Sequence, residues 1–264
     1  MVTEFPPMAT SYRKQRAGVP PGFFACEAAG LHWLRVPGGP PVVEVLDVAD
    51  DHLDLVRLDP VAPTAAAARE FGARLAVLHD AGAPAFGSPP TGWAGDGFFG
   101  PLDQPWPMRS GTYASWGEFL AECRIEPLAE ALGSPGPRSG GDSDLRRLAD
   151  LLRSGTLDDD DSPARLHGDL WSGNVLWTPD GATLIDPAAH GGHRESDLAM
   201  LALFGLPELD TVLAGYQRVR PLRRGWRERI GLHQIYPVGM HAVLFGGGYR
   251  AQLDRLVAEV LARS

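Results

Sequence analysis

Lysine is what this chain lacks most. Of its 24 basic residues 23 are arginine, and the one lysine is Lys14. An ammonium sits on phosphate as a compact point charge where a guanidinium is a broad fork, so a site that admits only a small cation is one reason to keep a lone Lys; chance is the other. Cysteine is nearly absent, with Cys26 and Cys123 alone. Two thiols are too few for a disulfide framework or a Cys-based zinc site, which makes a reducing cytoplasm the expected compartment. No apolar run reaches the ~18–20 residues that span a bilayer, and the opening stretch has no signal-peptide core, so no membrane partner is expected. Basic charge is outweighed as well: a net charge of −9 argues against nucleic acid as partner. There are no internal repeats and no coiled-coil heptads.

What is present is an ordinary globular composition, 44% hydrophobic and 22% charged over 264 residues, enough for one large domain or two lobes. The rest is organised around residues 166–186, LHGDLWSGNVLWTPDGATLID. The apolar runs 175–177 and 183–185 flank Pro179-Asp180-Gly181, which reads as a β-hairpin with turn chemistry to match. Folding back brings Asp186 toward Asn174 and Asp169. Three oxygen-bearing side chains then converge, and hard oxygen donors beside phosphate are what Mg²⁺ selects. In phosphoryl transfer one Asp takes the proton of the attacking hydroxyl while an Asn and a second Asp hold metal.

Taken in order, residues 11–15 read as a strand carrying Lys14, and 16–22 as a Gly/Pro loop. Pro21 opens a helix to about Arg35 with Phe24, Ala28, Leu31 and Leu34 as its buried stripe. Glu27 lies off that stripe, a candidate partner for Lys14, with a solvated helix Glu as the plain alternative. Strands are expected over 42–48 and 53–58, and 59–63 is the linker. Thr64 caps a helix to His79, itself read as a polar helix-end residue. The loop over 83–109 carries Trp93, Phe98, Phe99 and Trp106 and could wall a substrate pocket. A helix from Ser115 or Trp116 is kinked or ended by Pro127, 134–143 is a flexible surface insert, and Leu145, Leu148, Leu151 and Leu152 mark another helix. Asp158 to Asp161 reads as a solvated acidic loop. Ser196 caps a helix on which Asp197 bonds backbone near the catalytic loop. His190 and His193 stand on a loop able to approach substrate. From Leu209 on the chain is helical, broken around Pro237 and stopped at Gly246-Gly247-Gly248.

The Asp-x-x-x-x-Asn spacing with a hairpin-borne Asp resembles the protein-kinase signature. Gly168 stands where protein kinases have Arg, and Asp186-Pro187 replaces Asp-Phe-Gly, as in the small-molecule kinases of that superfamily. Residues 20–34, 95–106, 166–177, 185–200 and 235–249 together resemble the fructosamine kinase (ketosamine-3-kinase) family, with Trp171-Ser172-Gly173 the most specific insert. The resemblance implies an α+β, two-lobed protein-kinase-like fold: a small β-rich N-lobe over 1–59 and a larger, mostly helical C-lobe over 60–264. It implies ATP and Mg²⁺ as cofactors and the 3-hydroxyl of a small-molecule ketosamine as acceptor. By matched position Asp169 is the catalytic base, and Asn174 and Asp186 are metal ligands. Lys14 contacts phosphate, Glu27 positions it, and Val56, Arg57 and Leu58 form the hinge at the adenine. Trp171 and His190 lie at the acceptor. Two departures stand out. Thirteen residues precede Lys14 and none is Gly, fewer than the roughly 20 that a strand-glycine-strand lid over the phosphates needs. Val56-Arg57 also replaces the usual acidic-aromatic hinge pair. An aminoglycoside-type kinase, and a pseudokinase binding module without the lid, are the rival expectations.

Overall fold

The computed structural model describes residues 10–133 and 140–263. Three strands, β1 (Ser11–Gln15), β2 (Val45–Val48) and β3 (His52–Val56), form an antiparallel sheet with β3 in the centre. Along β3 only Leu53 and Leu55 are buried, the alternation a strand needs when one face meets a core. That face packs on Phe23, Phe24, Ala28 and Leu31 of the helix α1 (Phe23–Trp33). The expected strand over 42–48 is shorter than its apolar run. Val42 bridges to Leu184 instead, and a bulge between Val45 and Asp47 shifts the register.

The helical part begins with α2 (Ala65–Asp80), capped by Thr64, whose hydroxyl accepts from Ala67 N at 3.2 Å. The loop after it folds into the short pair β4 (Gly97–Phe99) and β5 (Trp106–Met108), and Phe98 meets Phe23 of α1 at 5.4 Å between ring centroids. Helix α3 (Trp116–Leu120) runs through a π-helical turn (Ala121–Ile125) into α4 (Glu126–Leu132). Pro127 therefore does not end this helix: the π-helical turn directly before it accommodates the missing main-chain donor. Of the expected insert, 134–139 lie outside the described residues, and 140–143 already belong to α5 (Gly140–Arg153). Next come β6 (Ala164–Leu166), the hairpin β7 (Val175–Thr178) and β8 (Gly181–Leu184), and β9 (His190–Gly192), which pairs with β6. Four helices follow: α6 (Arg194–Leu203), α7 (Leu209–Val219), α8 (Trp226–Phe245) and α9 (Gly248–Arg263). Helices α2 and α7 cross backbone to backbone. A Cβ at Gly72 would strike Val212 O and one at Gly215 would strike Arg69 O, so both positions require glycine.

Three expectations are corrected here. The acidic loop is solvated at Asp160 alone. Asp158 accepts from Gly117 N at 2.8 Å and Ser115 Oγ at 2.7 Å. Asp159 pairs with His193 at 3.0 Å and Arg229 at 2.9 Å, and Asp161 with Arg194 at 2.5 Å and Arg220 at 2.9 Å. Cations from three later elements converge on a run whose sequence shows only repulsion. His79 is the helix-end polar residue expected, in the last turn of α2, and it is buried there between Tyr216 Oη at 2.8 Å and Asp197 Oδ2 at 3.2 Å. The cap of α6 is His193, whose Nδ1 accepts from Glu195 N, and not Ser196. Helix α8 continues through Pro237, because buried Leu232, Ile235, Val238 and Met240 on both sides hold its axis against the loss of one main-chain donor.

Candidate active site

The loop between β6 and β7 carries Asp169, and its shape is dictated from below. Gly168 has φ of 82°, and a Cβ there would strike Ala188 O. A bulky residue at this position is excluded by the backbone, which explains Gly where protein kinases keep Arg. Buried Asp197, on α6, accepts from His167 N at 2.8 Å and Gly168 N at 3.0 Å. His167 donates Nε2–H to Ile185 O at 2.8 Å, and its Nδ1 accepts from Asp169 N at 3.3 Å. The loop is thus tied both to α6 and to the end of the hairpin, as the expected role of Asp197 requires.

Asn174 joins the two carboxylate-bearing segments. Its Nδ2 donates to Asp169 O at 2.8 Å, to Asp169 Oδ2 at 3.0 Å and to Asp186 O at 3.4 Å. With the amide nitrogen committed to these acceptors, Oδ1 is the polar atom of Asn174 left to offer. Asp186 sits at φ 52°, a left-handed conformation that Asp tolerates better than most residues. Its Oδ1 lies 3.1 Å from Lys14 Nζ, which also donates to both carboxyl oxygens of Glu27 at 2.8 Å. Glu27, expected off the buried stripe, is itself buried at 8% exposure, because this ion pair carries it inward. Burial opposes the Lys14 charge, but the Glu27 and Asp186 carboxylates outweigh it and hold the ammonium above its ordinary value.

Burial pushes the Asp169 carboxyl up to about 7; the Asn174 bond opposes this, and the charges of Asp186 and Asp197 add to it. A carboxyl poised there can take a proton near neutrality. Asp169, Asn174, Asp186, Lys14, Glu27 and Trp171 all line one cavity of about 580 Å³. From the long loop Trp93, Phe98 and Phe99 line it too, while Trp106 packs against the helical core.

The structure does not bring every expected residue here. His190 is buried in β9, donates Nδ1–H to Ala188 O at 2.8 Å and packs on Phe119. It lines a separate pocket of about 50 Å³ with Arg124, so the strand pairing of β9 turns it under the catalytic loop and away from the cleft. Val56, Arg57 and Leu58 lie at the end of β3, outside the cavity lining, where Arg57 N donates to Thr10 O at 2.7 Å. Sequence reasoning missed Phe204, His241 and Phe245, which also line the cavity. Phe204 sits just past the end of α6, and His241 and Phe245 lie one turn apart on α8; none of the three carries a motif of its own.

A small sheet with one helix, a helical body, and two carboxyl groups and an amide around a shared cleft make up a two-lobed, protein-kinase-like fold. A choline kinase from Streptococcus pneumoniae has this fold at 15% identity, with a TM-score of 0.61 over 98% of this chain and 88% of that one. The chain belongs to the fructosamine kinase family, whose sequence model matches residues 15–263, and so to the phosphotransferases that act on hydroxyl groups. A crystal structure of a Thermobifida fusca protein described as a fructosamine-3-kinase is 44% identical, with a TM-score of 0.84 over 96% of this chain and 85% of that one. A protein of Enterococcus faecium named as a ketoamine kinase is 32% identical over 252 residues, 93% of this chain and 86% of its own length. Another from Synechocystis sp. is 35% identical over 193 residues, 72% of this chain and 61% of its own length. Among the described residues no helix is long and apolar enough to cross a membrane.

Proposed function

We propose that this chain transfers the terminal phosphoryl group of ATP, with Mg²⁺, to the 3-hydroxyl of a ketosamine, a fructosamine or ribulosamine adduct of an amine. The observation that carries this reading is the single constellation of Lys14, Glu27, Asp169, Asn174 and Asp186 on one cavity wall. The donor set fits magnesium: Asn174 Oδ1 is released by the three bonds of Nδ2, and the Asp186 carboxylate is 42% exposed, both hard oxygen donors. Bound there, the ion would neutralise charge on the phosphate oxygens. Lys14 holds a phosphate oxygen, and Glu27 keeps its ammonium from collapsing wholly onto Asp186. Asp169 takes the proton of the acceptor hydroxyl, and the half-exposed face of Trp171 meets the sugar and its ammonium. On this reading Val56, Arg57 and Leu58 meet the adenine. Val56 pairs with Ser11, three positions along the sheet from the Lys14–Leu53 pair, roughly 10 Å at strand rise and on the scale of the nucleotide. The lobes divide between residues 59 and 60.

Calorimetric titration with ATP–Mg²⁺ and a phosphorylation assay on fructosyl-lysine test the proposal together. Binding and transfer are expected for the native chain. Asp186→Ala loses the Mg²⁺-dependent part of nucleotide binding, whereas Asp169→Asn keeps it and loses transfer. No binding at millimolar ATP–Mg²⁺ would overturn the enzymatic reading in favour of a binding module.

A further inference from the structure

The cavity is chemically lopsided. Among the described residues its only lining carboxylates are Glu27, Asp169 and Asp186; the first and third are held by Lys14, and the second is the proposed base. Leading away from Asp169 is a ladder of rings. Trp171 meets Phe204 edge-on at 5.9 Å, Phe204 meets His241 at 5.0 Å, and His241 meets Phe245 at 5.4 Å. His241 and Phe245 are one helical turn apart on α8, and His241 spends Nδ1–H on Pro237 O at 2.7 Å. The two ends of the ladder are bare: Trp171 is 38% exposed and Phe245 58%. Phe204 and His241 between them are half-buried, and partly exposed rings packed in a row along a concave site mark a surface that a ligand can cover.

The chemistry of a ketosamine says which part of the ligand that is. Its amine nitrogen is bonded to C1, two carbons from the C3 whose hydroxyl must reach Asp169. Trp171 is two residues from Asp169, so the ammonium falls at the indole face and the amine's carbon substituent leaves along the ladder. Among the described residues that line the cavity, no carboxylate stands beside these rings to receive a second ammonium, and no Lys or Arg to receive a carboxylate. Resting on the ketosamine reading above, we infer that Trp171, Phe204, His241 and Phe245 form a subsite for an apolar amine substituent. The preferred acceptors are then ketosamines of uncharged aromatic or aliphatic amines, and not those of diamines or amino acids carrying further charge.

The test compares fructosyl-benzylamine with the fructosyl adduct of 1,4-diaminobutane, by calorimetric binding and by kcat/KM with ATP–Mg²⁺. The expected preference for the benzyl compound is about tenfold or more in both readouts, the scale at which apolar pockets discriminate. Phe204→Ala and the surface change Phe245→Ala should each lower it. Equal or reversed preference in the native chain sinks the subsite, as does a preference that neither variant moves. The two readings fail separately. Preferential binding without transfer to either compound leaves the subsite standing and removes the ketosamine kinase reading; transfer to both without preference does the reverse.

Discussion

Asp169→Asn should make the protein inactive and, at alkaline pH, more stable. A carboxyl raised from 3.8 to about 7 favours the protonated folded state, so its cost to stability is absent below pH about 4. The cost grows as pH climbs from the unfolded value to the folded one and is complete above it. At 1.36 kcal/mol per tenfold, it amounts to about 4 kcal/mol at pH 8 and about 2 kcal/mol at pH 5. The amide of the variant cannot ionise, yet its oxygen can still accept the bond from Asn174 Nδ2. Urea unfolding of both proteins, without nucleotide or metal, should therefore show the variant ahead by a margin that widens by about 2–3 kcal/mol between pH 5 and pH 8. Transfer should fall on the order of 10²–10⁴-fold, the usual contribution of a general base. A margin independent of pH, or a variant less stable than the native chain at pH 8, would refute a desolvated Asp169.

Asp161→Asn should cost about 3–5 kcal/mol in urea unfolding, because it leaves the buried Arg194 guanidinium without its carboxylate; a loss below about 1 kcal/mol would return this loop to the solvated status its sequence suggests. His190→Ala should lower stability by about 1–3 kcal/mol through its lost bond to Ala188 O and its packing on Phe119, and leave acceptor KM unchanged. A raised KM with unaltered stability would put His190 back in the cleft.

The legible parts of this molecule are those whose signal is local. The hairpin follows from Pro-Asp-Gly between two apolar runs, the Thr64 cap from one hydroxyl before an apolar stripe, and the five-residue spacing of Asp169 and Asn174 from a loop that closes on itself. These bonds form within a few positions of one another, so composition and order suffice to foretell them.

What sequence alone determined, then, is the identity of the chemical groups and the segments that carry them. Tertiary structure decided which of those groups share a wall. Asp158 to Asp161 read as repulsive because Arg194, Arg220 and Arg229 are supplied by elements 33 to 70 positions away. His190 left the cleft because β9 pairs with β6, and in a strand a single step of register chooses the face. The ring ladder was invisible because Trp171, Phe204 and His241 meet only once the catalytic loop, α6 and α8 are packed together. Contact across such separations depends on helix crossing and strand register, and neither is written in any short stretch of residues.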